Sequence, residues 1–145
     1  MTGSLDAARE RAAEFIHAII WAEHTVLWDL LSDNARETAL SVAVSNGLDR
    51  VAAGRIRDGL ADPVEREHLL RQLVEGLRRD LRSVELTKLD VGKCNLAEGD
   101  VVAAELLTPS SIPGTDAWPA GRLILSDHPQ RGWLVDRLEP RLAGP

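Results

Sequence analysis

The sequence predicts an α+β domain, in which N-terminal helices pack on a four-stranded antiparallel sheet. Before residue 82, apolar residues recur at helical spacing. After it they come in short β-rich runs separated by turn residues. Consecutive strands joined by turns pair as an antiparallel meander. A length of 145 residues suits one hydrophobic core, so we predict a single domain over residues 1–145.

The helical half divides at residues that favour helix ends. Ser32 is a favourable N-cap, and Asp62 followed by Pro63 is a strong helix start. Asn46 and Gly47 mark a stop or a tight turn. The predicted helices cover residues 5–31, 33–45, 48–59 and 63–81.

The second half is predicted to form four strands, over residues 83–92, 100–108, 120–127 and 132–139. Residues 98–100 turn the first strand into the second, and residues 127–132 close the third onto the fourth. Residues 109–119 form a longer connection, and the last four residues form a tail.

Composition and charge exclude several classes of function. The formal charge of −6 divides equally: residues 1–82 hold 11 basic and 14 acidic residues, and residues 83–145 hold 6 and 9. With no basic half, and with aromatic residues at only 3%, nucleic-acid binding is not expected. The chain has no apolar run of about 20 residues and no secretory signal pattern. Its single cysteine, Cys94, excludes an internal disulfide, so we expect a cytoplasmic protein without a membrane segment.

The most informative segment is residues 15–31, which carries the only Phe and two of the four Trp. A helix places four of its side chains in one narrow stripe, because they are spaced four, three and four apart: His17, Trp21, His24 and Trp28. Such a helix is apolar over most of its circumference, so we expect the rest of the domain to surround it. Glu23 then projects among apolar side chains, where an unpaired carboxylate is costly.

These residues suggest an internal pocket. In that interpretation Glu23 is a general acid or base, His24 or His17 assists it, and Trp21 and Trp28 form the apolar wall. The alternative is structural: Glu23 pairs with an arginine from another helix, and the histidines pack against the two tryptophans. The sequence leaves both open.

A second pair of candidate ligand-binding residues lies on the last predicted strand. Asp136 shares one face with Leu134 and Leu138, and Arg137 shares the other with two apolar residues. If the leucine face is buried, Asp136 is a pocket acid. If the other face is buried, Arg137 can hold a ligand carboxylate or pair with Glu23.

The closing segment resembles the final hairpin of NTF2-like (SnoaL-like) domains. It reads WPAGRLIL at residues 118–125 and GWLVDRL at residues 132–138, and such domains often end in a strand of the form G-W-x-V. The resemblance implies a cone of helices over a curved sheet, a central pocket and a homodimer. It also implies binding or conversion of a small, mainly apolar molecule. The chain departs from the family in residues 33–81, which read as helical where many members carry a β-hairpin.

Two other functions remain open. One is a dimeric protein-interaction module without catalysis. The other is a DNA-binding helix-turn-helix over residues 42–59, which resembles the DNA-reading segment of LacI-type repressors, although Asp49 and Asp58 would then face phosphates. No metal or other cofactor is expected, because His17 and His24 are seven residues apart and no acid or cysteine completes a familiar ligand set.

Overall fold

The structure is a computed structural model that describes residues 5–81, 89–96, 101–108 and 118–140. Its helices are α1 (Leu5–Ile20), α2 (His24–Leu30), α3 (Asp33–Ser45), α4 (Arg50–Arg57) and α5 (Pro63–Asp80). Its strands are β1 (Asp90–Leu96), β2 (Val101–Thr108), β3 (Trp118–His128) and β4 (Gly132–Pro140). None of the described helices combines the length and the apolar character that a membrane crossing requires.

The α+β class and the four-stranded antiparallel sheet are confirmed. The strand order is β1-β2-β3-β4, so each strand pairs with its neighbour in sequence. The prediction for α3 matches its bounds, whereas α4 is shorter than predicted at both ends and β1 runs beyond its predicted end. Predicted features at residues 83–88, 98–100, 109–117 and 142–145 lie outside the described residues.

The prediction of one long helix over residues 5–31 is wrong, because the chain breaks between α1 and α2. Ala22 lies in the left-handed region, with φ of 53°. The Glu23 amide donates to the Ala18 carbonyl at 2.9 Å, five residues back instead of the helical four. A single left-handed residue redirects the chain, so α2 starts on a new axis.

α1 lies across the sheet and contacts all four strands. It buries Phe15 and Ile19 against strand residues of one sheet face, including Leu123, Leu125 and Val135. These side chains are almost fully removed from water, and their burial is the main source of stability. The helix layer therefore sits on this face of the sheet.

The junction of α2 and α3 is fastened to β4. Leu31 forms an isolated parallel bridge with Val135, and the Ser32 amide donates to the Val135 carbonyl at 2.9 Å. The Ser32 hydroxyl accepts from the Ala35 amide at 3.2 Å and so caps α3 as predicted. The Arg131 guanidinium, in the turn before β4, donates to the Asp29 and Leu31 carbonyls at 2.9 and 3.3 Å.

The predicted simple alternation of side chains along β4 is also wrong. Ile124 pairs with Arg137 and Leu125 pairs with Val135, so Asp136 is an extra residue in a β-bulge. Val135 joins the helix-side core, and beyond the bulge Leu138 packs against the same core. The extra residue thus puts Leu138 on the face of Val135, which a strict period of two would not allow.

Candidate functional site

The predicted acid–imidazole group lies at the surface. His17 Nδ1 and Glu23 Oε1 are 2.7 Å apart, and their side chains are 61% and 41% exposed. Trp21 is 64% exposed, and its ring centroid is 6.2 Å from that of His17. The expectation that Glu23 is buried is therefore wrong, because the break at Ala22 turns it toward water. The alternative pairing with an arginine is wrong too, since its partner is His17.

Because of the break, the residues of the predicted stripe lie in different environments. His24 is the first residue of α2 and is half-buried, whereas Trp28 is buried in the core. The Arg36 guanidinium lies over the Trp28 ring at 5.3 Å and donates to the Trp28 carbonyl from Nη2 at 3.0 Å. Trp21 is exposed, His24 is half-buried and Trp28 is buried, so the three do not share one environment. Catalytic roles for Glu23, His24 and His17 stay predictions.

A cleft of about 570 Å³ opens between α3 and α5 over β4; we refer to it as the α3–α5 cleft. Its apolar lining comes from four elements and includes Phe15, Leu31, Ala39, Leu69, Leu73 and Val135. Polar side chains border it as well, among them Thr38, Asn46 and Gln72. A cleft of this volume, with apolar walls and a few polar groups, has the form of a small-molecule site.

Small residues on the two facing helices leave the cleft open. Ala39 and Ala43 line it from α3, and Gly76 lines it from α5. A Cβ atom added at Gly76 would meet no heavy atom within 4 Å, so the space beside this glycine is empty. Sequence reasoning missed the cleft, although small residues within both predicted helices were its available signal.

Both predicted residues of the last strand border this cleft. The Asp136 carboxylate accepts a hydrogen bond from the Ser126 hydroxyl at 3.0 Å. Arg137 Nε donates to Glu139 Oε2 at 2.6 Å, and Arg122 donates to the same carboxylate. These two hydrogen bonds hold the pKa of Glu139 below its usual range. Asp136 and Arg137 therefore already have hydrogen-bond partners within the protein.

A second cavity, of about 560 Å³, lies between α2, α3, α4 and the start of α5; we refer to it as the arginine cavity. Its basic residues are Arg36, Arg57 and Arg66, and its acidic residues are Asp29, Asp33 and Glu37. Leu40, Ile56 and the buried Trp28 give it an apolar side.

The charges in the arginine cavity are unequally paired. Arg57 pairs with Glu37 at 2.5 Å, and Arg131 pairs with Asp33 at 3.4 Å. Burial lowers the pKa of Arg36, and the neighbouring charge of Arg131 lowers it further. The Arg66 guanidinium has no hydrogen bond or ion pair within the described part of the chain. These two ion pairs thus leave Arg36 and Arg66 as the lining arginines that they do not engage.

The helix-turn-helix candidate falls on α3, α4 and their connection. Asp49 caps α4, because its carboxylate accepts from the Ala52 amide at 3.2 Å. Arg55 pairs with Glu65 and Arg57 pairs with Glu37, and each carboxylate partner raises the pKa of its arginine. Two of the arginines of α4 are therefore already paired within the protein. DNA binding stays a prediction without structural support.

Comparison of the chain with family models, with curated proteins and with solved structures gives no match. Within the described ranges, no group of three or more His, Cys, Asp or Glu side chains is arranged to hold a metal ion. The two cavities are therefore the structural features that bear on the function.

Proposed function

We propose that the protein binds a small, mainly apolar molecule in the α3–α5 cleft. The observation that carries the proposal is the empty volume of about 570 Å³ between two helices, with an apolar floor. Ligand sites typically enclose about 300–1,000 Å³ and combine apolar walls with a few polar groups. Thr38, Asn46 and Gln72 supply such groups at the border of the cleft.

The proposal is one of binding rather than catalysis. Glu23, His24 and His17 do not border the cleft, so acid–base chemistry by these residues is a separate prediction. Asp136, an acid that does border it, already accepts a hydrogen bond from Ser126. Binding of an apolar molecule is favoured when its surface and the apolar surface of the lining residues are removed from water together.

We further infer that the domain is NTF2-like. The resemblance of the closing segment supports this, because that segment forms the adjacent antiparallel strands β3 and β4. The helix layer on one sheet face is also what the resemblance implies. A cone-shaped sheet and a homodimer are parts of the same proposal.

The test uses two helical glycines that differ in their position relative to the cleft. Gly76 lines the cleft and Gly54, on α4, does not; a Cβ at either one meets no atom within 4 Å. Binding of 1-octanol, a neutral apolar probe, is followed by NMR in the parent protein, Gly76→Leu and Gly54→Leu. We expect both variants to stay folded, because leucine favours a helix more than glycine by roughly 0.5–1 kcal/mol.

The variants should differ in binding. The leucine side chain introduced at position 76 occupies the cleft, so we expect Gly76→Leu to weaken octanol binding at least tenfold, while Gly54→Leu binds within about twofold of the parent. Equal binding by all three proteins, with both variants folded, would place the probe elsewhere and contradict the proposal. Absence of saturable binding to the parent by octanol and by a wider neutral panel would also contradict it.

A protein-interaction module is the second candidate, and exposed apolar side chains favour it. Trp21 is 64% exposed and Val26 is 41% exposed, and both lie at or just after the α1–α2 break. Exposed apolar surface outside a pocket often meets another chain. Sedimentation equilibrium of the parent and of Trp21→Ser tests this: a dimer that dissociates in the variant supports the module, and a monomeric parent argues against it.

A further inference from the structure

The arginine cavity is separate from the α3–α5 cleft. We propose that it binds an organic carboxylate with an apolar body, held by Arg36 and Arg66. The site is independent of the proposed function, because no residue lines both cavities.

The pairing of charges favours an anion. The lining holds three arginines, Arg36, Arg57 and Arg66, and as many carboxylates, so its formal charge is zero. Arg57 pairs with Glu37 inside the cavity, whereas Asp33 pairs with Arg131, which lies outside the lining. These ion pairs leave two cations of the lining and one carboxylate, Asp29.

Two arginines are left for a ligand. Arg36 uses Nε and Nη2 on the Trp28 carbonyl, at 3.2 and 3.0 Å, and so meets a neutral acceptor rather than a carboxylate. The Arg66 side chain makes no such contact within the described residues. The remaining acid, Asp29, is exposed, and its charge raises the pKa of Arg36 without reversing the lowering that burial causes. Guanidinium groups bind carboxylates through paired, charge-assisted hydrogen bonds.

Burial strengthens the case for Arg36. Its pKa is lowered first by removal from water and then by the charge of Arg131, and the carboxylates of Asp29 and Asp33 offset only part of this lowering. An anion in the cavity would raise the pKa of Arg36 again, because it replaces the favourable interaction with water that burial removes. The partly buried position of Arg36 therefore favours a bound carboxylate over an empty cavity.

The apolar side of the cavity defines the other half of the ligand. Leu40 is 1% exposed and Ile56 is 5% exposed, and both line the cavity. Ala61 adds a small apolar surface near Arg66 in sequence. A small inorganic anion would leave this surface without a partner, whereas an aromatic or aliphatic body covers it. A cavity of about 560 Å³ accommodates a two-ring molecule.

The experiment titrates the protein with 2-naphthoate and with 2-naphthalenemethanol, its neutral analogue, at constant ionic strength. Backbone amide shifts in NMR spectra locate each probe, with Gly59 and Ala61 reporting on the arginine cavity and Gly76 on the α3–α5 cleft. We expect saturable naphthoate shifts at Gly59 and Ala61, and at least tenfold weaker binding of the alcohol.

Variants decide whether Arg66 holds the carboxylate. Arg66→Gln is expected to raise the naphthoate Kd about tenfold, which corresponds to about 1.4 kcal/mol. Arg50→Gln is the matched control, because Arg50 is an exposed arginine of α4 that does not line the cavity. Its Kd should stay within about twofold of the parent.

Three results would overturn the proposal. The first is equal affinity for the acid and the alcohol, and the second is an unchanged Kd in Arg66→Gln. The third is naphthoate shifts at Gly76 without shifts at Gly59, which would assign the carboxylate to the other cavity. Octanol binding in the cleft is measured separately, so failure of one proposal leaves the other testable.

Discussion

The His17 imidazole and the Glu23 carboxylate meet at 2.7 Å across the break between α1 and α2. Six positions separate them in sequence, which on a continuous helix would put them on different sides of the axis. Their contact depends on the left-handed backbone of Ala22. The pair therefore depends on the turn between α1 and α2. It connects the two sides of that turn at the protein surface.

The His17–Glu23 pair should contribute little to stability. Both side chains are substantially exposed, and exposed ion pairs are typically worth about 0–1 kcal/mol. We predict that His17→Gln, Glu23→Gln and the double variant each change the free energy of unfolding by less than about 1 kcal/mol, measured by urea denaturation. A coupling energy of several kcal/mol in this double-mutant cycle would mean that the pair is buried after all.

Replacement of Ala22 by glycine should be nearly neutral or stabilising. An L-residue in the left-handed region costs roughly 1–2 kcal/mol, and glycine removes that cost while adding about 0.5–1 kcal/mol of backbone entropy. Ala13→Gly, at an exposed position inside α1, is the control and should lose about 1 kcal/mol. Equal losses in the two variants, measured by thermal or urea unfolding, would indicate a helix that runs through residue 22.

The cap of α3 should be a measurable source of stability. Ser32 is 1% exposed, and its hydroxyl accepts from the Ala35 amide. We predict that Ser32→Ala lowers the free energy of unfolding by about 1–2 kcal/mol, because a buried amide loses its acceptor. Ser41→Ala, on the exposed side of the same helix, should change it by less than about 0.5 kcal/mol. Similar values for both variants would show that the Ser32 cap does not stabilise this junction.

Stability should depend weakly on pH through Glu139. Hydrogen bonds from Arg137 and Arg122 lower its pKa in the folded protein, so the ionised form stabilises the fold. That contribution is complete above the ordinary pKa of glutamate, about 4.3, and is lost as the pH falls through the lowered folded value. Its size is about a few tenths of a kcal/mol, because both arginines are more than half exposed and Glu139 is partly exposed.

Comparison with Glu139→Gln checks the pH dependence. The parent should be slightly more stable at pH 7, and the two unfolding curves should converge below about pH 4. A difference that grows on acidification would contradict the assigned direction of the pKa.

Local signals were sufficient for much of the fold. Ser32 and Asp62 cap α3 and α5 as predicted, because their side-chain oxygens need only nearby amides. The antiparallel order of the strands followed from short connections between β-rich runs. Such features depend on residues a few positions apart, so the sequence displays them.

Other features depend on contacts between distant residues. No glycine or proline marks the break at Ala22. The position of α2 depends instead on its contacts with α1, α5 and β4. The bulge at Asp136 likewise appears only when β4 is aligned with β3. Neither can be read from apolar periodicity, which is why Glu23 was expected among apolar side chains and Leu138 was expected on the face of Asp136.

The candidate sites were the least predictable part. Both cavities form where several elements come together in space, so no short motif marks them. Trp28, Asp136 and Arg137 were selected from the sequence and do border one cavity or the other. Their side chains are largely engaged within the protein, however, and the free surface comes from Ala39, Gly76 and Arg66.

The most direct test of the central claim is to locate bound octanol by intermolecular NOEs from the probe to side-chain methyl groups. The proposed function predicts NOEs to Ala39, Leu73 and Val135, which line the α3–α5 cleft from a helix on each side and from β4. NOEs confined to exposed apolar side chains outside the cleft, such as Val51 or Leu96, would contradict it.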